Sequence, residues 1–542
     1  MFRPNDGYDQ QAMFDSTSWM SPKTCEKLMK SWAPIFYEHV FRQIDEAPFS
    51  VLYGDTGKPN FPVNILLSLE YIKHMRDCND LDILDDYHFD YLVNYAVGNR
   101  TLGEKSLGER TIYNFRERVY RYSVDNPGKD DILFGQFIKL VCDFAKAANL
   151  SLGEQRTDTT LFMSNIKKAG RISLAYDVLA KAVKAIPADK LTGNLSAVLD
   201  SGFKNKVLYR MKGQDTDSRL AMLLQLCQEA LVVLETVSEP SGSDALSVVR
   251  RFLSEQATTD PETGKLAPKS KKEIPSGSLQ SAYDGDATFR RKGDVSQSGY
   301  ALELSETCAK NNPFQLITDY TVKPNNTSDE EMLRGRIQKI RENTGCTDMY
   351  VDGGFHSDGV HQIASENGIN IHLTNMSGTE PTKKLPVTAF EIDGDTKVIL
   401  KCPAGHVPIR AGVSGGQSSA HFSHETCGGC ELKEQCHSKS QRKDSVVRIN
   451  LKAIDAGRIR AEMKEHLVEN TSMRAGIEGT NSAMKRKGQN KLSVRGVSKC
   501  AVVSGLKATA QNIKRMIRFM QGGYKPKPKD APLKGVFVPV TA

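Results

Sequence analysis

The chain has 542 residues, enough for several domains and more than one hydrophobic core. Its charged fraction of 25% and apolar fraction of 39% are those of an ordinary soluble protein; no apolar run approaches a membrane span, and Met1-Phe2-Arg3-Pro4-Asn5-Asp6-Gly7 lacks the apolar stretch of a secretory signal. Eleven cysteines without such a signal point to a reducing cytoplasm, and the net charge of +8 is uneven: residues 481–542 hold fourteen Lys or Arg against the single acid Asp530, which suits a polyphosphate partner, with a solvated tail as the plainer alternative.

Residues 1–150 read as a helical N-terminal domain. Pro62 to Ile72 begins with an early-helix proline and continues with apolar residues at helical spacing, and Leu81 to Tyr91 continues the pattern. Leu107 to Val119 reads as a turn followed by a helix, with Thr111 as N-cap. Arg116, Arg118 and Arg121 punctuate that helix. A helix-turn-helix would lay it against DNA, whereas a charged surface helix is the plainer reading.

Residues 151–165 turn β-like and carry Asp158. Residues 171–256 are helical around the run Leu220 to Leu234, and the stretches 238–244 and 257–280 read as linkers. Strand-like segments follow at Tyr300–Leu304 and Phe314–Thr318, then a helix from Asp329 to Asn343. Two further strands, Met349–Asp352 and Ile369–Leu373, are separated by a helix. Residues 376–455 hold short strands and a cysteine cluster, 456–520 the last core helices, with helical pattern from about 452, and 521–542 a basic tail whose Tyr524–Lys529 segment reads as an extended arm. The expected fold is multidomain α/β. Residues 151–375 begin a mixed sheet flanked by helices, with the element order of an RNase H-like core, one helical insertion at 171–256 and a second at 376–455.

Three acids stand in strand, strand-end and helix segments: Asp158, Asp352 and Glu478. Carboxylates so placed can converge on two divalent ions, which clamp the attacking and leaving oxygens of a phosphoryl transfer. Each also has an ordinary reading: a turn for Asp158, the Asp352-Gly353 turn signal, and an i,i+4 pair for Arg474 and Glu478. Asp319 is the competing strand acid, and His356 stands close to Asp352.

Arg474-x3-Glu478-x6-Lys485 resembles the Tyr-x2-Arg-x3-Glu-x6-Lys signature of a clade of DDE transposases from bacterial insertion sequences, and the chain is similar to its large, cysteine-containing group. The signature tyrosine would fall at Thr471, a departure that touches DNA contact but not the metal site. Thr157-Asp158-Thr159-Thr160-Leu161 and Tyr350-Val351-Asp352-Gly353-Gly354-Phe355 resemble the family's first and second aspartate segments. Ser281 to Ala287 resembles a further recurrent segment without an assigned role. The resemblance spans roughly residues 35–520. It implies a DNA transposase that cleaves phosphodiesters and transfers strands with two Mg²⁺ (or Mn²⁺) on Asp158, Asp352 and Glu478. It also implies Arg474 and Lys485 on phosphate, duplex DNA (element ends and target) as partner, and a homo-oligomer on DNA. An RNase H-like nuclease without strand transfer, and a non-catalytic zinc-bearing DNA-binding protein, fit the same residues.

Cys402, Cys427, Cys430 and Cys436 form C-x24-C-x2-C-x5-C. Four thiolates would make a closed structural Zn²⁺ site, with His437, His421 or His424 as substitute ligands. Unmetallated thiols and a redox pair are the alternatives. The other cysteines, such as Cys142 and Cys227, read as core residues.

Overall fold

Helix signals in the first 150 residues are realised as α1 Pro22–Met29, α2 Trp32–His39, α3 Val63–Arg76, α4 Asp80–Phe89, α5 Tyr91–Ala96, α6 Glu109–Asp125 and α7 Ile132–Ala148. The computed structural model describes residues 1–7, 15–103, 105–208, 216–237, 243–259, 265–292, 295–376 and 384–524. They divide into two units, residues 1–346 with 477–542, and residues 347–476. In the first unit every α3 residue from Val63 to Ile72 is buried, the polar Asn64, Ser68 and Glu70 included, and Glu70 is paired with Arg116. A capping box between Asn79 and Asp82 starts α4. The N-cap of α6 is Gly108, not Thr111: the helix begins with Glu109, whose charge suits the positive helix start, and Thr111 lies inside the first turn.

The first unit continues with β1 Glu154–Phe162 and the helical insertion α8 Arg171–Ala185, α9 Gly193–Ser196, α10 Ser201–Leu208, α11 Thr216–Thr236 and α12 Ser243–Gln256. Leu179, Leu223, Leu224, Cys227 and Phe252 centre a core of the insertion's own. The expected linker 257–280 instead contains a hairpin, β2 Ala257–Thr259 with β3 Leu266–Pro268; residues 238–242 of the other linker lie outside the described residues. Then come β4 Thr288–Lys292, β5 Val295–Thr307, β6 Ile317–Pro324, α13 Asp329–Arg334 and α14 Ile337–Thr344. β5 pairs antiparallel with β1, β4 and β6, placing Asp158 opposite Leu304 and Asp319 opposite Ser305. The single helix expected over Asp329–Asn343 is two, because Arg336 at the break turns inward to Asp319 (2.6 Å) and Asp130 (2.6 Å).

The second unit opens with β7 Asp348–Val351, α15 Asp358–Glu366 and β8 Asn370–Leu373, a parallel pair joined through a helix as such pairs require. β9 Glu391–Ile392, β10 Ile399–Lys401, β11 Arg410–Ser414, β12 Gln417–Phe422, α16 His424–Gly428, β13 Ser438–Ser440 and β14 Ser445–Asn450 follow. Four of these strands make an antiparallel sheet ordered β11-β12-β14-β13 over a core of Phe390, Ile399, Phe422, Val447 and Ile454. α17 Leu451–Glu465 and α18 Leu467–Met484 come next, and α18 contributes residues to both units.

Back in the first unit, α19 Val497–Met520 packs on α3 and β6. The helical stretch expected over about 452–520 is thus three helices. Gly488 (φ 76°) and Gly496 (φ 85°) take left-handed backbone that other residues avoid, and end the turn after α18 and begin α19. The protein is a mixed α/β chain with parallel and antiparallel strand pairs. The Lys525–Lys529 arm lies outside the described residues. Among the described residues no helix is long and apolar enough to cross a membrane.

Candidate active site

Asp158 lies midway along β1, and α18 carries Glu478 toward it in the first unit. The fixing element is Glu306 on β5, fully buried, which accepts from Arg156 on β1 (2.5 Å), Thr480 on α18 (2.6 Å) and Arg515 on α19 (3.0 Å). A buried carboxylate is tolerated only when paired and hydrogen-bonded, and here its partners come from three elements. Arg156 is two residues before Asp158 and therefore on its side of the strand; Thr480 is two residues after Glu478. Asn481, also buried, donates from Nδ2 to Asp158 Oδ2 at 2.9 Å.

An open cleft of about 680 Å³ results, lined by Asp158, Thr159, Thr160, Glu478, Asn481, Lys485 and Arg486 among others. Glu478, Lys485 and Arg486 are exposed. Asp158, Glu478 and Lys485 thus line the same cleft. Two hard anionic donors beside two cations are of the chemical type that divalent ions and phosphates take.

Asp352 and Arg474 belong to the second unit and meet there, Arg474 donating to Asp352 Oδ2 at 3.4 Å. Asp352 ends β7 and caps the following turn by accepting from Gly354 N at 2.8 Å. Gly353 is required at that turn, since a Cβ there would meet the backbone oxygen of Asn375 at 2.7 Å. His356 faces His361, ring nitrogens 3.0 Å apart; burial, then the His356 charge, holds His361 below the usual imidazole range.

Three expectations change. Arg116 does not face outward: it donates to Glu70 (2.6 Å) and Asp80 (2.6 Å), which neutralise it inside the helical domain. Arg118 and Arg121 are the exposed arginines of that part of α6, Arg118 lying 4.6 Å from the Tyr53 ring centroid. Asp319 is buried against Arg336 and is an ion-pair residue rather than a rival ligand. Cys142 is exposed, whereas Cys227 is buried as expected.

Sequence reasoning left two groups without a role. Asn481 carried no signal beyond its place three residues after Glu478. The Ser281–Ala287 segment proves to be a brace. Buried Asp284 accepts from Ser164 at the end of β1 (2.5 Å) and from Tyr300 on β5 (2.5 Å), and Asp286 accepts from Val497 N at the start of α19 (3.1 Å). Burial, then the Asp284 charge, pushes the Tyr300 hydroxyl upward, so it remains a donor.

Cys402, Cys427, Cys430 and Cys436 line one cavity of about 20 Å³ in the second unit, with His406. The Cys402 turn closes through Gly405, at φ 82°, whose N–H donates to Cys402 O at 2.8 Å. Burial pushes the Cys427 thiol up, and Cys436, Cys402 and Cys430 push the same way against a hydrogen bond with Ser445. Of the considered histidine substitutes, His421 pairs with Asp444, His437 with Leu385 O, and His424 with Ser440 and Ser445; none lines the cavity. Among the described residues no group of three or more His, Cys, Asp or Glu stands ready-made to hold a metal ion.

Residues 401–517 match the family model described as the transposase DDE domain. That stretch is similar to the DDE domain of transposases. The match contains the four clustered cysteines, Arg474, Glu478 and Lys485; Asp158 and Asp352 lie outside it. No curated protein and no solved structure matches the chain.

Proposed function

We propose that the protein is the DNA transposase of an insertion sequence, built on an RNase H-like core, cleaving phosphodiester bonds and joining the freed 3′ end to target DNA. The observation that carries this reading is the shared cleft of Asp158 and Glu478, with the DDE transposase match over the segment that holds Glu478. Asp352, which ends a strand as such a ligand would, is the third acid of the proposal. The carboxylates fit a pair of Mg²⁺ or Mn²⁺ ions, hard cations that prefer oxygen. Such ions, when bound, supply charge at the attacking and leaving oxygens of an in-line displacement. The chain's own residues do the rest. Asn481 holds the Asp158 carboxylate in one orientation, Lys485 and Arg486 attract the scissile phosphate's neighbours, and Arg474 holds Asp352. Arg118 and Arg121 on α6 are the proposed contacts of the N-terminal domain to the element ends, and a homo-oligomer would bring two ends together. The four-cysteine cavity is proposed as a structural Zn²⁺ site: thiolates suit zinc, and four of them leave no open position for catalysis.

The test is incubation of purified protein with labelled duplex carrying the element ends, a target plasmid and Mg²⁺. Mg²⁺-dependent cleavage with labelled strand joined to plasmid supports the reading; cleavage without joining reduces the protein to a nuclease, and neither product contradicts both.

A further inference from the structure

We propose that the helical insertion carries a track for the DNA backbone, continuous with the Asp158–Glu478 cleft, so that duplex flanking the cut lies across α8 and α10. This rests on the transposase reading and adds the surface that would hold the flanking duplex. The track runs through three adjoining cavities of the first unit. In the catalytic cleft its cations are Lys485 and Arg486.

From Asn490 the chain turns back along the end of β1. Met163 N donates to Asn490 O (3.0 Å), Leu492 N to Met163 O (2.9 Å) and Asn165 N to Val494 O (2.8 Å). This pairing fixes Lys491 and Arg495 in a second cavity of about 340 Å³, beside Lys167 and Tyr283. Arg495 is held in place: its Nε donates to Asn165 O at 2.8 Å and its guanidinium lies 5.4 Å from the Tyr283 ring centroid.

Lys167 also lines a third cavity, of about 600 Å³, together with Arg171, Lys204 and Lys271. Arg171 donates to oxygens of Gln256 and Lys269, none of which cancels its charge. Among the described residues lining the second and third cavities, Asp177, paired with Lys167, is the one acid. In a chain with 73 basic and 65 acidic residues, surface charge of both signs would ordinarily alternate; here one sign is gathered along a path that begins at the catalytic acids. Lys167, Lys204, Lys271, Lys491 and Arg495 are exposed, as contacts to phosphate must be. Such contacts position a duplex without reading its sequence.

The experiment uses the full-length chain with Lys204→Gln/Lys271→Gln and, as control, Lys23→Gln/Lys27→Gln on exposed positions of α1. The probe is a duplex of about 40 base pairs of random sequence, titrated by fluorescence anisotropy from about 50 to 200 mM salt. The track predicts that the insertion variant loses about tenfold in affinity at low salt and about two units of salt slope, while the control keeps both. Wild type that binds and cleaves DNA, with an insertion variant of unchanged slope or a control that loses as much, overturns the track alone. Wild type that binds no duplex overturns the track and the transposase reading together.

Discussion

Asn481 shows how a single side chain can hold a carboxylate in one orientation. Its amide donates to Asp158 at 2.9 Å, while its own Oδ1 is buried without a hydrogen-bond partner. A hydrogen bond to a charged group contributes about 1.5–3 kcal/mol, and an orphaned buried acceptor costs about 1–3 kcal/mol, so the residue is costly for folding and useful for holding Asp158. Asn481→Ala is expected to slow single-turnover cleavage about tenfold to hundredfold and to raise the Mg²⁺ concentration needed, with the thermal midpoint unchanged or higher. Unchanged cleavage at limiting Mg²⁺ would remove Asn481 from the site.

Asp131 is a second residue with a measurable signature. Burial pushes its carboxyl up to about 6, while Tyr320 at 2.9 Å and the Leu133 N–H pull against that. The unfolded value is about 3.9, so below about pH 4 folded and unfolded forms both hold the proton, and between about 4 and 6 only the folded form does. Stability from this group is therefore lost as pH rises through that window, by about 2–3 kcal/mol in all. Asp131→Asn should remove the loss. Denaturation midpoints at pH 4 and pH 7 should differ less in the variant than in wild type; equal differences would show that Asp131 does not titrate there.

At the scale of elements, β1, β7 and α18 were legible because each has a local pattern: a β-branched, threonine-rich run around Asp158, a short apolar run into Asp352-Gly353, and helical spacing around Glu478. What local pattern could not reveal depends on partners far along the chain. The break at Arg336 answers to Asp130 and Asp319, and the inward turn of Arg116 to Glu70 and Asp80. The β2–β3 hairpin was hidden in a stretch whose serines and prolines read as a linker. The cysteine spacing was legible, and the fold gathers all four around one cavity, but thiol spacing alone does not choose the occupant. Metal binding by such a site couples to folding of the surrounding strands. Protein purified under reducing conditions is expected to carry about one zinc per chain, lost with lowered thermal stability in Cys427→Ser. Zinc-free protein with an equally stable insertion would show that the cysteines act as thiols.

On the scale of the whole molecule, Asp158 and Glu478 lie with Lys485 and Arg486 in one unit, and Asp352 lies with Arg474 in the other. The transposase match covers Glu478 but neither aspartate, so the claim that all three acids serve one reaction is the central one. It is tested most directly by Mg²⁺-dependent cleavage with Asp158→Asn, Asp352→Asn and Glu478→Gln, each set against its own DNA affinity. Each variant is predicted to lose cleavage by about 10²–10³-fold or more while binding duplex at least as well as wild type, because an anionic group has been removed from a DNA surface. Cleavage retained by any one of the three would contradict the account for that residue, and cleavage retained by Asp158→Asn and Glu478→Gln together would contradict the site itself.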